Sequence, residues 1–231
     1  MSVLQDPRLE RILASLQEES DAQWAGLTGD ASDGDRRPDE SEEEHAARVK
    51  AFLSDKMVAL DDDKAQLCYL LCRALDARRV VEIGTSHGVS TLYLAAAVRD
   101  NVRAGGGEGG VIGTEYEPEK ARAARANWER AGLSDFIELR EGDLRQTLRT
   151  LEGPVDFMLM DIWTPMARPA VELVGPHLRQ GAIVACDNTI SAAAGYADYF
   201  AFMQDPANGF RSLTLPYAGG LQLSVRFTDR P

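Results

Sequence analysis

Residues 80–95, VVEIGTSHGVSTLYLA, set an acid (Glu82), two glycines (Gly84 and Gly88) and hydroxyl residues including Ser86 and Ser90 between two apolar runs. A loop of that composition leading into a helix is suited to receive a ligand. A dinucleotide fingerprint requires G-x-G-x-x-G. Here the spacing is E-x-G-x-x-x-G, with Thr85 and Ser86 directly after the first glycine, so the pyrophosphate-cradling turn is missing. The wider loop suits an amino-acid carboxylate, met by Ser90 and backbone N–H groups. Glu115 ends the next apolar run, where an acid suits a hold on ribose hydroxyls. The EGD turn at 141–143 then offers Asp143 and the following amide to an adenine edge. A loop for an amino acid, an acid for a ribose and a polar turn for a base together describe S-adenosylmethionine. Each feature also has a plain structural reading: tight turns at the glycines and a helix cap at Glu115.

Asp161 closes the run VDFMLMD, and Asp187 with Asn188 closes GAIVACDN. Two carboxylates and an amide oxygen form a hard-oxygen set, suited to Mg²⁺ or Ca²⁺ and to similar divalent ions such as Mn²⁺. Strand-end Asp and Asn that merely cap turns are the alternative. His45, His87 and His177 have no paired ligand spacing, which argues against zinc.

The elements that must position these residues follow from the hydrophobic pattern. Leu9, Ile12, Leu13 and Leu16 predict an amphipathic helix over residues 6–19. The polar stretch GLTGDASDGDRRPDESEEE predicts a flexible acidic loop. Helical spacing resumes in DESEEEHAARVKAFLSDKM and in DDDKAQLCYLLCRALDA, both with acids at their starts, where the helix dipole favours them. From residue 79, short β-rich runs alternate with helical patterns five times: RVVEIG, GVIGTEY, FIELREG, VDFMLMD and GAIVACDN are each followed by a helix. That rhythm predicts an α/β, doubly wound, mostly parallel sheet. FRSLTLP and LQLSVRF, joined by YAGG, leave no room for a helix and predict a C-terminal antiparallel hairpin, giving seven strands. In such sheets, ligands bind outside the carboxyl ends of the strands.

The chain has 231 residues and a formal charge of −12. Eleven acids between Glu18 and Glu44, against only Arg36 and Arg37, account for nine of those charges. A general nucleic-acid binder needs a basic face, which this sequence lacks. Three cysteines without a CxxC pair suit a reducing compartment, and Cys68 and Cys72, four apart on an apolar helical pattern, read as core packing. No signal-like or transmembrane run is present, so the expected location is cytoplasmic, with no membrane partner.

On KMVALDDDKAQL, VVEIGTSHGVS, IGTEYEPE, EGD, MLMDIWTP and IVACDNT, the sequence resembles the class I S-adenosylmethionine-dependent methyltransferases. Within them it is most similar to the metal-dependent catechol and caffeoyl-CoA O-methyltransferase branch, over roughly residues 50–228. The resemblance implies a Rossmann-like methyltransferase domain over residues 51–231 behind an N-terminal helical and acidic extension over residues 1–50. It implies cofactor contacts from Val58, Glu82, Gly84, Ser86, Gly88, Ser90, Glu115, Tyr116, Asp143, Asp161 and Trp163. It carries divalent-metal binding onto Asp161, Asp187 and Asn188, and implies O-methylation of a small hydroxylated substrate, a homodimer and a setting in secondary metabolism.

One departure stands out. The family's proton-accepting lysine falls at Thr164, which cannot serve as a base. Either the metal alone suffices for a substrate that ionises easily, or another group acts, with His87 and Lys56 as candidates, or the acceptor differs. Arg168 is a poor base. Tyr196, Tyr199 and Phe200 form either an aromatic substrate wall or an inward-packed helix face. The competing functions are methylation of a different acceptor, through N, C or RNA, and a catalytically silent cofactor-binding partner protein. The acidic charge argues against RNA.

Overall fold

The computed structural model describes residues 3–25 and 39–227. Most of the stretch expected to form an acidic loop, residues 26–38, lies outside the described residues.

The predicted strand–helix rhythm is present. After helices α1 (Pro7–Ala25), α2 (Glu42–Leu53) and α3 (Asp62–Ala74) come β1 (Arg79–Ile83), α4 (Val89–Gly105), β2 (Gly110–Glu115), α5 (Pro118–Ala131) and β3 (Ile137–Glu141). They are followed by α6 (Leu144–Thr147), β4 (Val155–Met160), α7 (Ala167–Val174), β5 (Leu178–Asp187), α8 (Ala197–Gln204), β6 (Phe210–Leu215) and β7 (Leu221–Arg226). The seven strands form one sheet in the order β3-β2-β1-β4-β5-β7-β6. The first five pair in parallel. β7 runs antiparallel to both β5 and β6. The hairpin's second strand is thus the inner one, and β6 forms the edge.

Strand order reverses between β1 and β4, which makes that junction the topological switch point where ligands are expected. β1 and β4 are buried almost throughout because helices cover both faces, and their apolar runs match that double cover. One core layer packs α1, α3 and α4 with Leu9, Leu13, Leu16, Cys68 and Cys72; the other packs α7 and α8 with Val171, Val174, Tyr199 and Met203. Cys68, Cys72 and Cys186 are free and buried.

Two elements differ from their sequence reading. α6 is a single turn, where the pattern at 144–152 suggests a longer helix. α1 runs on to Ala25 because its last turns are anchored: Ser20 Oγ and Trp24 Nε1 both donate to the Met57 carbonyl, and Met57 N–H donates to Gln23 Oε1 at 2.7 Å. α1 therefore shares the core of the sheet domain and braces the segment that precedes α3. Among the described residues, no helix is long and apolar enough to cross a membrane.

Candidate active site

Strand register brings the predicted residues to one rim. Ile83 pairs with Met160, and Met160 with Cys186, so the chain leaves β1, β4 and β5 side by side at Gly84, Asp161 and Asp187. A cleft of about 550 Å³ opens there. Val58, Gly84, Ser86, Glu115, Tyr116, Asp143, Asp161, Trp163, Thr164 and Asn188, spread over 130 positions of sequence, all line it.

The loop after β1 is shaped by backbone strain relieved by glycine. Gly84 has φ +92°, and a Cβ there would meet the Asp161 carbonyl oxygen at 1.9 Å. Ser86, at φ +50°, turns its amide onto Glu115 Oε2 at 2.7 Å. Glu115 Oε1 accepts from the amides of Tyr116 and Glu117, each at 2.8 Å. Three backbone donors thus fix the carboxylate at the end of β2 before any ligand arrives.

Glu82, Gly88 and Ser90 do not line the cleft. Glu82 is fully buried and collects the hydroxyls of Thr85, Ser90 and Thr91. Burial pushes its carboxyl up to about 7 against the pull of those three donors. Ser90 faces inward, 2.7 Å from Glu82 Oε1, and not toward an incoming carboxylate. Gly88 is where α5 packs: a Cβ there would stand 2.3 Å from Trp128 Nε1, which donates to the Gly88 carbonyl. These residues hold the loop that the cleft uses.

Asp143 lies at the cleft, but Arg145 occupies it through its own amide and guanidinium, with Nη2 at 2.6 Å from Oδ2, and holds the carboxyl below its ordinary range. His87 is half-buried and away from the cleft wall. Burial, with Lys120 nearby, lowers its pKa and keeps it neutral. Lys56 pairs with Asp55 at 2.5 Å and also lies off the cleft wall. Of the three candidate wall aromatics, only Tyr196 lines the cleft. Tyr199 and Phe200 pack against it at centroid distances of 5.8 and 6.0 Å.

At the end of β4 the Asp161 carboxylate meets no hydrogen-bond donor among the described residues. Its charged neighbours are Asp187, Glu82, Lys64 and Asp61, and burial plus the nearby carboxylates raises its pKa. Asp187 is buried too, held by Lys64 at Oδ1 (2.7 Å) and by the Asn188 side-chain amide at Oδ2 (3.1 Å). Asn188 adopts φ +57°, a left-handed conformation that turns the chain out of β5. Lys64 contacts Asp187 and Asp61 but not Asp161, so the Asp161 carboxylate has no cation in contact among the described residues, and the two carboxylates with the Asn188 amide oxygen are the kind of donors a divalent cation prefers.

Thr164 opposes the loop that follows Asn188. A Cβ on Gly195 would lie 2.4 Å from Thr164 Oγ1, so the Thr164 position and the 188–196 loop are packed together. Three basic residues at the cleft escaped the sequence reading. Lys50 lies over the Tyr116 ring at 4.9 Å, Lys120 donates to the Leu53 carbonyl at 2.8 Å, and Arg145 holds Asp143. Burial lowers the Lys120 pKa. In sequence all three read as solvated helix positions.

A family described as a methyltransferase domain matches residues 81–189, the stretch from β1 to just beyond Asn188. Catechol O-methyltransferase of Mycobacterium tuberculosis is 36% identical over 134 residues, which span 58% of this chain and 58% of that protein. The chain thus matches somewhat over half the length of that relative. A probable caffeoyl-CoA O-methyltransferase of Dictyostelium discoideum is 29% identical over 126 residues, 52% of each. Among solved structures, a cofactor-bound protein from MTB superposes with a TM-score of 0.66 at 28% identity, covering 78% of this chain and 88% of that one. An O-methyltransferase from Bacillus cereus in complex with SAH gives 0.65 at 22% identity, covering 93% and 99%, and speaks for the fold. By its matched segment, its sheet order and its sequence relatives, the chain carries a methyltransferase domain over residues 81–189 and is similar to catechol and caffeoyl-CoA O-methyltransferases.

Proposed function

We propose that this chain methylates a hydroxyl oxygen of a small, readily ionised aromatic acceptor, with S-adenosylmethionine as donor and a divalent cation, Mg²⁺ before Ca²⁺ or Mn²⁺, beside the acceptor. The supporting observation is that Gly84, Ser86 and Glu115 share one cleft with Asp161 and Asn188. When bound, the donor supplies a sulfonium methyl, and the cation lowers the pKa of an acceptor hydroxyl. In the transfer an O–CH₃ bond forms as the S–CH₃ bond breaks. The sulfur keeps the bonding electron pair, and the hydroxyl proton leaves to solvent.

The chain's own groups do the rest. The loop at Gly84–Ser86 brings backbone close to the donor, and the pre-fixed Glu115 carboxylate meets the ribose. Trp163 and Val58 close the sides, and Tyr196 walls the acceptor side. Asp161, Asp187 and Asn188 would hold the cation. Thr164 takes no proton, and neither His87 nor Lys56 reaches the cleft. No side-chain base therefore stands where the resemblance places one, which favours acceptors whose hydroxyl ionises under the pull of the cation alone. The same reading includes a homodimer and a natural-product substrate.

A turnover panel of phenols and catechols with graded hydroxyl pKa, with and without EDTA, tests this. Methyl transfer should favour the more acidic hydroxyls, fall on chelation and return with Mg²⁺. Full activity in excess EDTA would remove the cation from the reaction. Tight donor binding without transfer to any hydroxyl would instead favour the silent cofactor-binding protein. Sedimentation would test the homodimer.

A further inference from the structure

Lys64 takes no part in the chemistry above, yet it is among the most enclosed side chains of the molecule, 1% exposed. A lysine is almost never buried so fully unless it is paired. It stands in the first turn of α3, with Nζ 2.7 Å from Asp187 Oδ1 and 2.8 Å from Asp61 Oδ2. Asp61 is half-exposed, whereas Asp187 is buried. The inward partner of the ammonium is thus an acid of the candidate cation trio.

We propose that Lys64 is a positioning residue of the acceptor site: an internal counter-cation that occupies one oxygen of Asp187 and keeps the trio's hold on a divalent ion weak and exchangeable. This rests on the cation reading given above and deepens it. The argument is one of charge and of place. Asp161 and Asp187 supply the carboxylates of the trio, and Lys64, shared between Asp187 and Asp61, offsets part of their charge, so a divalent ion finds a less negative site than it would without the ammonium. In a buried, low-dielectric setting that repulsion matters more than it would in water. Without the ammonium, a divalent ion would neutralise the two carboxylates outright.

Position adds a second consequence. With Oδ1 on Lys64 and Oδ2 beside the Asn188 amide, the Asp187 carboxylate is fixed at both oxygens. One of those anchors comes from α3, directly after the segment that carries Val58 into the cleft. Lys64 therefore ties the cofactor wall to the acceptor side.

Mn²⁺ is the probe, titrated by electron paramagnetic resonance into the full chain and into Lys64→Met, Lys64→Gln and Lys64→Arg. Lys64→Met and Lys64→Gln should bind Mn²⁺ about tenfold more tightly than wild type, and Mn²⁺ should raise their melting temperatures by more. Lys64→Arg should keep the wild-type affinity, and donor affinity by calorimetry should be unchanged in all three. With Mg²⁺ saturating, Lys64→Met should raise the acceptor KM more than it lowers kcat. Lys64→Gln retains a donor for Asp187, so the test survives if Lys64→Met does not fold. Mn²⁺ affinity that is unchanged or weaker in the neutral variants would overturn the proposal. Absence of Mn²⁺ binding in every protein, with methyl transfer intact in EDTA, would instead overturn the cation reading beneath it.

Discussion

The α-carbon of Gly84 faces the carbonyl oxygen of Asp161 so closely that the first atom of any side chain at Gly84 would lie 1.9 Å from it. The turn after β1 and the end of β4 are thereby locked at the switch point, where the proposed donor loop meets the proposed acceptor side. Gly84→Ala must both adopt φ +92° and push the Asp161 backbone away. Backbone strain of this kind costs about 1–3 kcal/mol, and the clash adds to it. The variant is expected to unfold at lower urea and to lose donor affinity by calorimetry. Wild-type values for both would show that the contact is not what sets the loop.

Glu115 is expected to matter through preorganisation as well as through contact. Its carboxylate accepts the amides of Ser86, Tyr116 and Glu117. Glu115→Ala leaves those donors without their acceptor and frees the Ser86 turn, each lost charge-assisted bond being worth about 1–3 kcal/mol. Donor affinity should fall by at least about tenfold. Glu115→Gln, which still accepts, should lose less. Equal losses in the two variants would confine the role of Glu115 to its charge.

The sequence carried much of this site and missed a definable part. Asp161 and Asp187 end apolar runs on adjacent parallel strands, so their convergence follows from period and topology, and the register Met160–Cys186 realises it. The direction of Ser90 depends on whether Glu82 is buried, and local pattern does not report that. Lys64 in DDDK reads as an exposed helix start, and only the packing of α3 on the end of β5 encloses it. The aromatic run in α8 has a face too mixed to show that only Tyr196 reaches the cleft.

Burial of Glu82 predicts a pH dependence of stability. Its carboxyl titrates near 7 in the fold, against an ordinary value of 4.5. The folded state therefore holds this proton more tightly than the unfolded chain does. The stability it contributes is fully present below 4.5 and is lost as pH rises through 7, by at most about 3 kcal/mol. Asp161 and Asp187 are shifted in the same direction and act with the same sign, so the comparison must isolate Glu82. Urea melts at pH 5 and pH 8 should show a larger drop in wild type than in Glu82→Gln, whose amide does not titrate. Equal drops would mean that Glu82 stays ionised in the fold, held by Thr85, Ser90 and Thr91.

Thr164→Lys separates the donor side of the cleft from the acceptor side. Thr164 abuts Gly195, leaving no space for a branch in that direction, so a lysine must extend along the cleft. The groups proposed to hold the donor, Gly84 and Ser86 in the loop after β1 and Glu115 at the end of β2, belong to strands two and three places from β5, which leads into the 188–196 loop. Donor affinity should therefore stay within about threefold of wild type, a difference under 1 kcal/mol. Acceptor KM should change, because the new ammonium enters the side walled by Tyr196. If the lysine can reach the acceptor hydroxyl, less acidic phenols should gain kcat relative to more acidic ones, since a base is worth most where the hydroxyl ionises least. A loss of donor binding in Thr164→Lys would show that the two halves of the cleft are coupled through this residue. An unchanged acceptor KM would place the methyl acceptor elsewhere in the cleft.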